Sequence, residues 1–370
     1  APWLRTWNPH ARPRRLPRRL LRAGRGVCYG LAWVQVAAAV HRLRPELVLL
    51  GDLEHRLDLW GVRWLRRRLR RQRPPGRLAD IWHNLEPFGR QPGEGVLRPA
   101  RWRRPMARQF DTVFVHGLRL AQEFAVQTGR AAYPIPHGNQ DWLAELAGPD
   151  PRLSERLRLP PDRPLGLMFG ALSPYKGVEV LLAALALSAP ARRPQMLIAG
   201  LPSAGVDSNA WRQEAARCGL EAWLHWDLRY VPTGEIAWYF RRADFVVLPY
   251  RAAAQSGVAH VALSFGRPLL VTAVGGLPEL IDGNGLVVAP DDAVGLARAL
   301  EQMGGDADER RRWGQRARQL AEVRHGWPAI ARQVLAAAAP QLLPAGGGEE
   351  CYQGMAAKEG AERLEVASES

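Results

Sequence analysis

Lysine is almost absent from this chain: of 51 Lys and Arg residues only Lys176 and Lys358 are lysines. Lys176 sits in Gly170-Ala171-Leu172-Ser173-Pro174-Tyr175-Lys176-Gly177, after the apolar run Leu165–Phe169 and before a helical pattern. A glycine at a strand end lets a ligand approach the backbone. A lysine beside the free N–H groups of a helix start adds a mobile cation, and the two together suit a diphosphate. The plainer reading is a βα turn with a solvated lysine, and this motif alone does not separate the two.

Two further loops have the same build. Leu248-Pro249-Tyr250-Arg251-Ala252-Ala253-Ala254-Gln255-Ser256-Gly257-Val258 follows the run Phe245–Pro249. Ser256 is placed to cap the next helix, with the N–H groups of Gly257 and Val258 at the mouth of a sheet, where α/β folds bind ligands. Thr272-Ala273-Val274-Gly275-Gly276-Leu277-Pro278-Glu279-Leu280 follows the run Leu269–Thr272. There Glu279 is read as an acceptor for sugar or ribose hydroxyls, or as an acidic residue at a helix start.

The elements that must position these loops are legible as short apolar runs. Glu46–Gly51, Leu78–His83, Thr112–His116 and Ala132–Pro136 occupy the first half. Leu165–Phe169, Gln195–Ala199, Ala222–Trp226, Phe245–Pro249, Leu269–Thr272 and Gly285–Val288 occupy the second. Runs of this kind suit strands buried on both faces. Helical patterns at Val178–Leu187, Ala210–Cys218, Glu235–Ala243, Val258–Phe265, Ala293–Met303 and Trp327–Ala338 alternate with them. The alternation predicts α/β architecture with parallel sheets. The expected organisation is a first domain over 1–148, a linker over 149–163, a second domain over 164–339 and a disordered Gly- and Glu-rich tail over 340–370. The chain opens at Ala1-Pro2-Trp3 without Met, so the first domain is expected to lack its first strand.

Composition narrows the classes. A length of 370 residues and 47% hydrophobic residues suit two packed domains and exclude global disorder. Cys28, Cys218 and Cys351 form no CxxC pair, so neither a disulfide framework nor a zinc site is expected. No apolar run reaches membrane-spanning length, and the longest, Val27 to Val40, contains Gln35. No signal peptide is evident, because no small-residue cleavage site follows the Arg-rich start. Charge is uneven: residues 1–110 hold 25 Arg against 7 acidic residues, while the rest of the chain is close to neutral. Such a patch attracts anionic lipid or nucleic acid.

Taken together, the loop motifs resemble the donor half of family 4 glycosyltransferases. GALSPYKG, FVVLPY, FGRP, VGGLPEL and NGLVV match that family's order and spacing over about Pro164 to Ala338. IWHNLEP (81–87), VFVHG (113–117), YPIPHGN (133–139) and WNPHARPRRL (7–16) match its acceptor half more loosely. The resemblance implies a GT-B fold, two Rossmann-like domains facing a cleft, and transfer of a sugar from a nucleotide-sugar. Gly170, Lys176, Tyr250, Gln255, Ser256, Gly257, Val258, Gly275, Gly276 and Glu279 are the implied donor contacts, with His83 and Lys176 as catalytic candidates. His83 is equally well read as a residue closing a buried strand, and His137 as structural. Retention of configuration is implied in the same way. Many members carry two Glu eight positions apart, here Ala253 and Val261; Gln255-Ser256-Gly257 fits a subset with a QSG loop. No DxD-like motif is present, and Asp291-Asp292 reads as a helix start, so no metal and no cofactor are expected.

Leu57–Arg71 (LDLWGVRWLRRRLRR) places Leu59, Val62, Leu65 and Leu69 on one helical face. Trp60 and Trp64 flank that stripe, and Arg63, Arg66, Arg67, Arg70 and Arg71 point away. Either the stripe packs in the core and the basic face is solvated, or Trp60, Trp64, Arg66, Arg67, Arg70 and Arg71 face anionic lipid. The expectation is membrane association, on the cytoplasmic face of the plasma membrane, with a lipid-linked or glycan acceptor. Competing readings are a nucleotide-sugar epimerase, a GT-B protein that binds nucleotide without turnover, and a nucleic-acid-binding protein. The last is disfavoured because no nucleic-acid motif is present.

Overall fold

The computed structural model describes residues 18–51, 53, 56–85, 100–146, 151–157, 159–160 and 163–343. The stretch 7–16, residues 86–87 of IWHNLEP and the tail from 344 onward lie outside the described residues. The first half runs α1 (Arg18–Leu43), β1 (Leu47–Gly51), α2 (Arg56–Arg70), β2 (Arg77–Trp82), α3 (Ala100–Ala107), β3 (Thr112–His116), α4 (Leu118–Thr128) and β4 (Tyr133–Ile135). Short helices α5 (Trp142–Glu145) and α6 (Pro151–Leu157) lead across. The second half runs β5 (Leu165–Phe169), α7 (Val178–Leu187), β6 (Gln195–Ala199), α8 (Ser208–Arg217), β7 (Leu224–Asp227), α9 (Thr233–Arg242), β8 (Phe245–Leu248) and α10 (Gly257–Ser264). It ends with β9 (Leu269–Thr272), β10 (Gly285–Val288), α11 (Ala293–Gly305), α12 (Ala307–Val323) and α13 (Trp327–Ala338). Each of the ten apolar runs forms a strand, most within one residue of the expected start; Ala222–Trp226 starts latest, at Leu224, because Glu221–Trp223 turn as a 3₁₀ helix.

Both sheets are parallel. The first has the order β1-β2-β3-β4, the second β10-β9-β8-β5-β6-β7. The second sheet therefore has a switch point: the chain moves outward from β5 to β7, then returns to β8 on the other side. That makes β5, β8 and β9 neighbours and brings the three loops that follow them to one edge. Ligands bind at such points because the loops on either side diverge and leave a crevice. β5, β6, β8 and β9 are buried along their whole length, as expected for strands covered on both faces.

Three features depart from expectation. The polar helix α12 has few apolar positions to betray it, Ala317, Leu320 and Ala321 being the buried ones. Its start is set by Asp306, whose carboxylate accepts the N–H groups of Asp308 and Glu309. Helix α13, which chain order assigns to the second domain, packs on the first sheet instead: Ile330, Val334 and Ala338 contact Ala79, Phe114 and Ile135. The linker region contains α6 and is not a plain tether.

Helix α2 resolves its two readings in part. Leu59, Val62, Leu65 and Leu69 are core residues, packed with Trp33 and Val40 of α1 and Leu78 and Trp82 of β2. Arg66 is not directed outward: it donates to the Arg108 carbonyl at 2.6 Å and pairs with Asp111. It is drawn inward by those two oxygens. Trp64 is half-buried and stacks on Trp60 at 5.8 Å, leaving Trp60, Arg63, Arg67, Arg70 and Arg71 exposed. Among the described residues no helix is long and apolar enough to cross a membrane.

Candidate active site

The loop after β5 is built by close backbone approaches. Gly170 has φ 109°, and a Cβ on it would stand 3.4 Å from Val258 and 3.9 Å from Lys176 Nζ. A Cβ on Gly177 (φ 75°) would fall 2.0 Å from the Pro249 carbonyl oxygen, so only glycine lets the β5 and β8 loops close together. Arg251 stitches them further, pairing with Glu179 and Asp291 and donating to the Pro174 carbonyl.

Lys176 is consequently not a solvated loop residue, as the plainer reading had it. It is buried, its Nζ donates to Tyr250 Oη at 2.5 Å, and it lies 4.0 Å from the centre of that ring. No carboxylate pairs with it among the described residues. Burial pulls its pKa below the ordinary lysine value, and burial pushes the Tyr250 phenol up. A buried ammonium facing a neutral phenol is a costly arrangement unless an anion completes it.

The cavity beside Lys176 has a volume of about 520 Å³. Tyr250, Gln255, Ser256, Gly257 and Val258 line it from the β8 loop, Tyr175 from the β5 loop and Asn84 from the first half. Ser256 caps α10, accepting the Ala259 N–H at 3.4 Å. Ala253 and Val261 also line the cavity, so the positions that carry Glu in many family 4 enzymes present apolar groups here.

Other expected contacts point elsewhere. Gly275 and Gly276 are absent from this cavity's lining and hold two loops together. A Cβ on Gly275 (φ 54°) would lie 1.7 Å from the Ala253 oxygen, and Gly276 N–H donates to Ala254 at 2.8 Å. Both glycines line a separate depression with Arg119 and Arg251. Glu279, read as an acceptor for hydroxyls, instead accepts the N–H groups of Leu118 and Arg119, each at 3.0 Å. The exposed N–H groups and positive dipole end of α4 draw the carboxylate across the cleft. Gly117 permits this, because a Cβ there would stand 2.5 Å from Glu279 Oε2. Gln255 also crosses, donating to the His116 carbonyl at 3.1 Å.

The largest omission from the sequence reading is a file of histidines. His83 Nδ1 lies 3.0 Å from His116 Nε2. The ring of His116 is 5.0 Å from that of His137, His137 is 4.4 Å from His260, and His260 is 5.1 Å from His325. His83, His116 and His137 stand at the ends of the adjacent strands β2, β3 and β4; His260 comes from α10 and His325 from the turn before α13. The repeated strand-end histidine in IWH, VFVH and PIPH was the available signal. Burial lowers the pKa of His116 to about 3 and of His325 to about 4, and lowers those of His137 and His260. His137, His260 and His325 line an apolar cavity of about 200 Å³ between the halves, bounded by Gln255, Glu279 and α13. Among the described residues no group of three or more His, Cys, Asp or Glu could hold a metal ion.

Residues 163–306 match the family model for glycosyl transferases group 1. The chain is 30% identical over 227 residues to D-inositol 3-phosphate glycosyltransferase of Streptomyces coelicolor, covering 58% of this chain and 47% of that protein. It is 33% identical over 189 residues to the same-named protein of Xylanimonas cellulosilytica, covering 50% and 44%. The chain thus spans about half the length of the curated relatives it matches. Among solved structures, sucrose-phosphate synthase from Thermosynechococcus elongatus is similar with a TM-score of 0.62 at 23% identity, over 86% of this chain and 78% of that one. Anabaena HepE, solved with UDP and glucose, is similar with a TM-score of 0.63 at 20% identity, over 82% and 79%.

Proposed function

From a chain whose 163–306 segment has the sequence pattern of glycosyl transferases group 1 and whose fold is GT-B, we propose a transferase that moves a sugar from a nucleotide-sugar to a lipid-linked or polysaccharide acceptor. The observation that carries this reading is Lys176, a buried cation with no carboxylate paired to it among the described residues, at a switch-point cavity under the capped start of α10. A nucleoside diphosphate supplies the missing negative charge. When the glycosidic bond breaks, charge develops on the leaving diphosphate; in this reading Lys176 and the N–H groups of Gly257 and Val258, which line the cavity, stabilise it without a divalent ion. Structural neighbours solved with UDP and with UDP-glucose make a uridine donor the first to test. His83, next in the chain to the lining residue Asn84, is proposed to position the donor sugar or the acceptor, and retention of configuration is carried over from the family resemblance.

The proposed site of action is the cytoplasmic face of a membrane carrying the acceptor. Its support is the α1–α2 surface. Trp33, Ala37 and Val40 of α1 face inward, while Leu31, Val34 and Val36 are exposed on α1 and Trp60 is exposed on α2. No charged residue interrupts Val27 to Val40, and exposed Arg63, Arg67, Arg70 and Arg71 follow on α2. Exposed apolar side chains on α1, with an exposed tryptophan and arginines on α2, fit the interface of an anionic bilayer.

A second reading has one observation behind it: the apolar Ala253 and Val261 in the cavity wall favour a protein that binds nucleotide without turnover. A thermal-shift panel of UDP-, GDP- and ADP-sugars, followed by product analysis, tests both. Stabilisation by one donor class with a glycosidic product supports transfer. Stabilisation without product supports the binding reading, and no stabilisation by any donor overturns both.

A further inference from the structure

At the opposite end of the same strands, the N-terminal ends of β8 and β9, lies a second concave site of about 500 Å³. Its wall holds Arg267, Arg310, Arg311 and Arg318, with Asp244 as the one carboxylate. Outside residues 1–110 basic and acidic residues are close to balanced, so four arginines facing one carboxylate are a local excess. Two of them are matched: Arg311 pairs with Asp308, and Arg318 pairs with Asp141 and Glu322. Arg267 and Arg310 make no ion pair among the described residues. Arg267 donates Nη2 to the Arg241 carbonyl at 3.1 Å, and its Nε is buried without a partner. Arg310 donates Nη1 to the Met303 carbonyl at 2.8 Å. Asp244 balances only part of this charge: its carboxylate acts on Arg267 without a direct ion pair, and its Oδ2 accepts the Leu165 N–H at 2.8 Å.

The site is assembled by a glycine contact. Gly266 (φ 60°) and Gly314 bring the turn before β9 against α12; a Cβ on Gly314 would stand 2.7 Å from the Gly266 oxygen, and one on Gly266 would stand 3.2 Å from the Gly314 oxygen. That approach sets Arg310 and Arg311, and Arg318 about two turns further along α12, around one cavity with Arg267. Unmatched guanidinium groups that converge on a cavity are completed by an anion with several acceptor oxygens, and the planar fork of arginine suits phosphate. We propose that this cavity binds a phosphate group, as free phosphate or as a phosphomonoester of sugar size. The site is independent of the donor cavity, since it lies at the other end of the strands and shares no residue with it.

The test is titration calorimetry on the full chain with inorganic phosphate and with glucose 6-phosphate, against sodium chloride and glucose at matched ionic strength. Saturable binding of either phosphate probe is expected, weakened at least tenfold in the Arg267→Gln/Arg310→Gln double variant and unchanged in Lys176→Ala. Tighter binding of glucose 6-phosphate identifies a phosphomonoester site, and equal or weaker binding identifies a free-phosphate site. If the double variant does not fold, Arg310→Gln alone, half-exposed in the wild type, is expected to give a weakening of severalfold. Heats no different from chloride, binding untouched by either arginine variant, or binding lost in Lys176→Ala each overturn the proposal.

Discussion

The two sheets end their strands in different chemistry. The second sheet's β5, β8 and β9 run into glycine-bearing loops that hold one buried cation, and most of what they need is supplied within one loop or its neighbour. The first sheet's β2, β3 and β4 end in histidines, and these acquire a role only by meeting His260 and His325 from the second half. The halves also differ outside the cleft: one is strongly basic with Leu31, Val34 and Trp60 exposed, the other close to neutral. The difference teaches that one half builds a pocket from local loops, while the other supplies a wall and a surface whose meaning depends on what lies opposite.

The sharpest test of the histidine side is pH. His116, His137, His260 and His325 are held neutral in the folded chain, with pKa values below the ordinary histidine value. The unfolded chain takes up these protons near pH 6.5, so unfolding consumes protons and stability falls as pH drops from about 6.5 toward the folded values. The loss is up to about 1.4 kcal/mol per pH unit for each histidine. Thermal melts from pH 7.5 to 5 should show this slope, and His260→Gln or His325→Asn should flatten it. A flat wild-type profile breaks the contrast between the two sheets.

On the other side, Lys176→Met should weaken donor affinity or turnover by the worth of a charge-assisted contact, roughly 1.5–3 kcal/mol or about 10- to 150-fold. Its melting temperature should hold or rise, because the substitution removes a buried charge rather than a solvated one. Wild-type kinetics in this variant would show that the cation is structural.

For the basic surface, wild-type protein should sediment with anionic liposomes and be released by salt. Arg67→Gln/Arg70→Gln/Arg71→Gln should weaken this by on the order of 1 kcal/mol per residue, with donor binding retained. Arg66 is left in place, since it holds the Arg108 carbonyl and Asp111. Equal binding to zwitterionic liposomes removes the electrostatic reading, and salt-sensitive RNA binding without lipid preference replaces it with a nucleic-acid one.

A smaller effect is expected at the cleft. Glu279→Gln weakens the charge–dipole contact with α4, worth about 0.3–1 kcal/mol, so the melting temperature should fall by a few degrees at most. Smallest of all, excess EDTA should leave transferase activity in place; loss that Mg²⁺ or Mn²⁺ restores would overturn the proposed leaving-group stabilisation.

Much of the framework was legible from residues near one another in the chain. Apolar runs such as Gln195–Ala199 announce strands because burial on both faces admits little else. The turns at Gly170 and Gly177 announce themselves because their positive φ favours glycine. The loops after β5 and β8 could be picked out for the same reason, since each is one continuous segment after one strand. What was not legible lies in contacts between distant segments. Glu279 reads as a receiver of hydroxyls until α4, 161 residues earlier, presents its N–H groups. Lys176 reads equally as a solvated loop residue or a phosphate ligand until Tyr250 closes over it and leaves it buried. Arg66 reads as outward until Asp111 is found beside it, and α13 reads as part of the second domain until its apolar face meets β3 and β4. Backbone conformation and strand burial are set by nearest neighbours along the chain, whereas the partner of a charge, or the sheet a helix covers, is chosen by whichever surfaces the completed fold brings together.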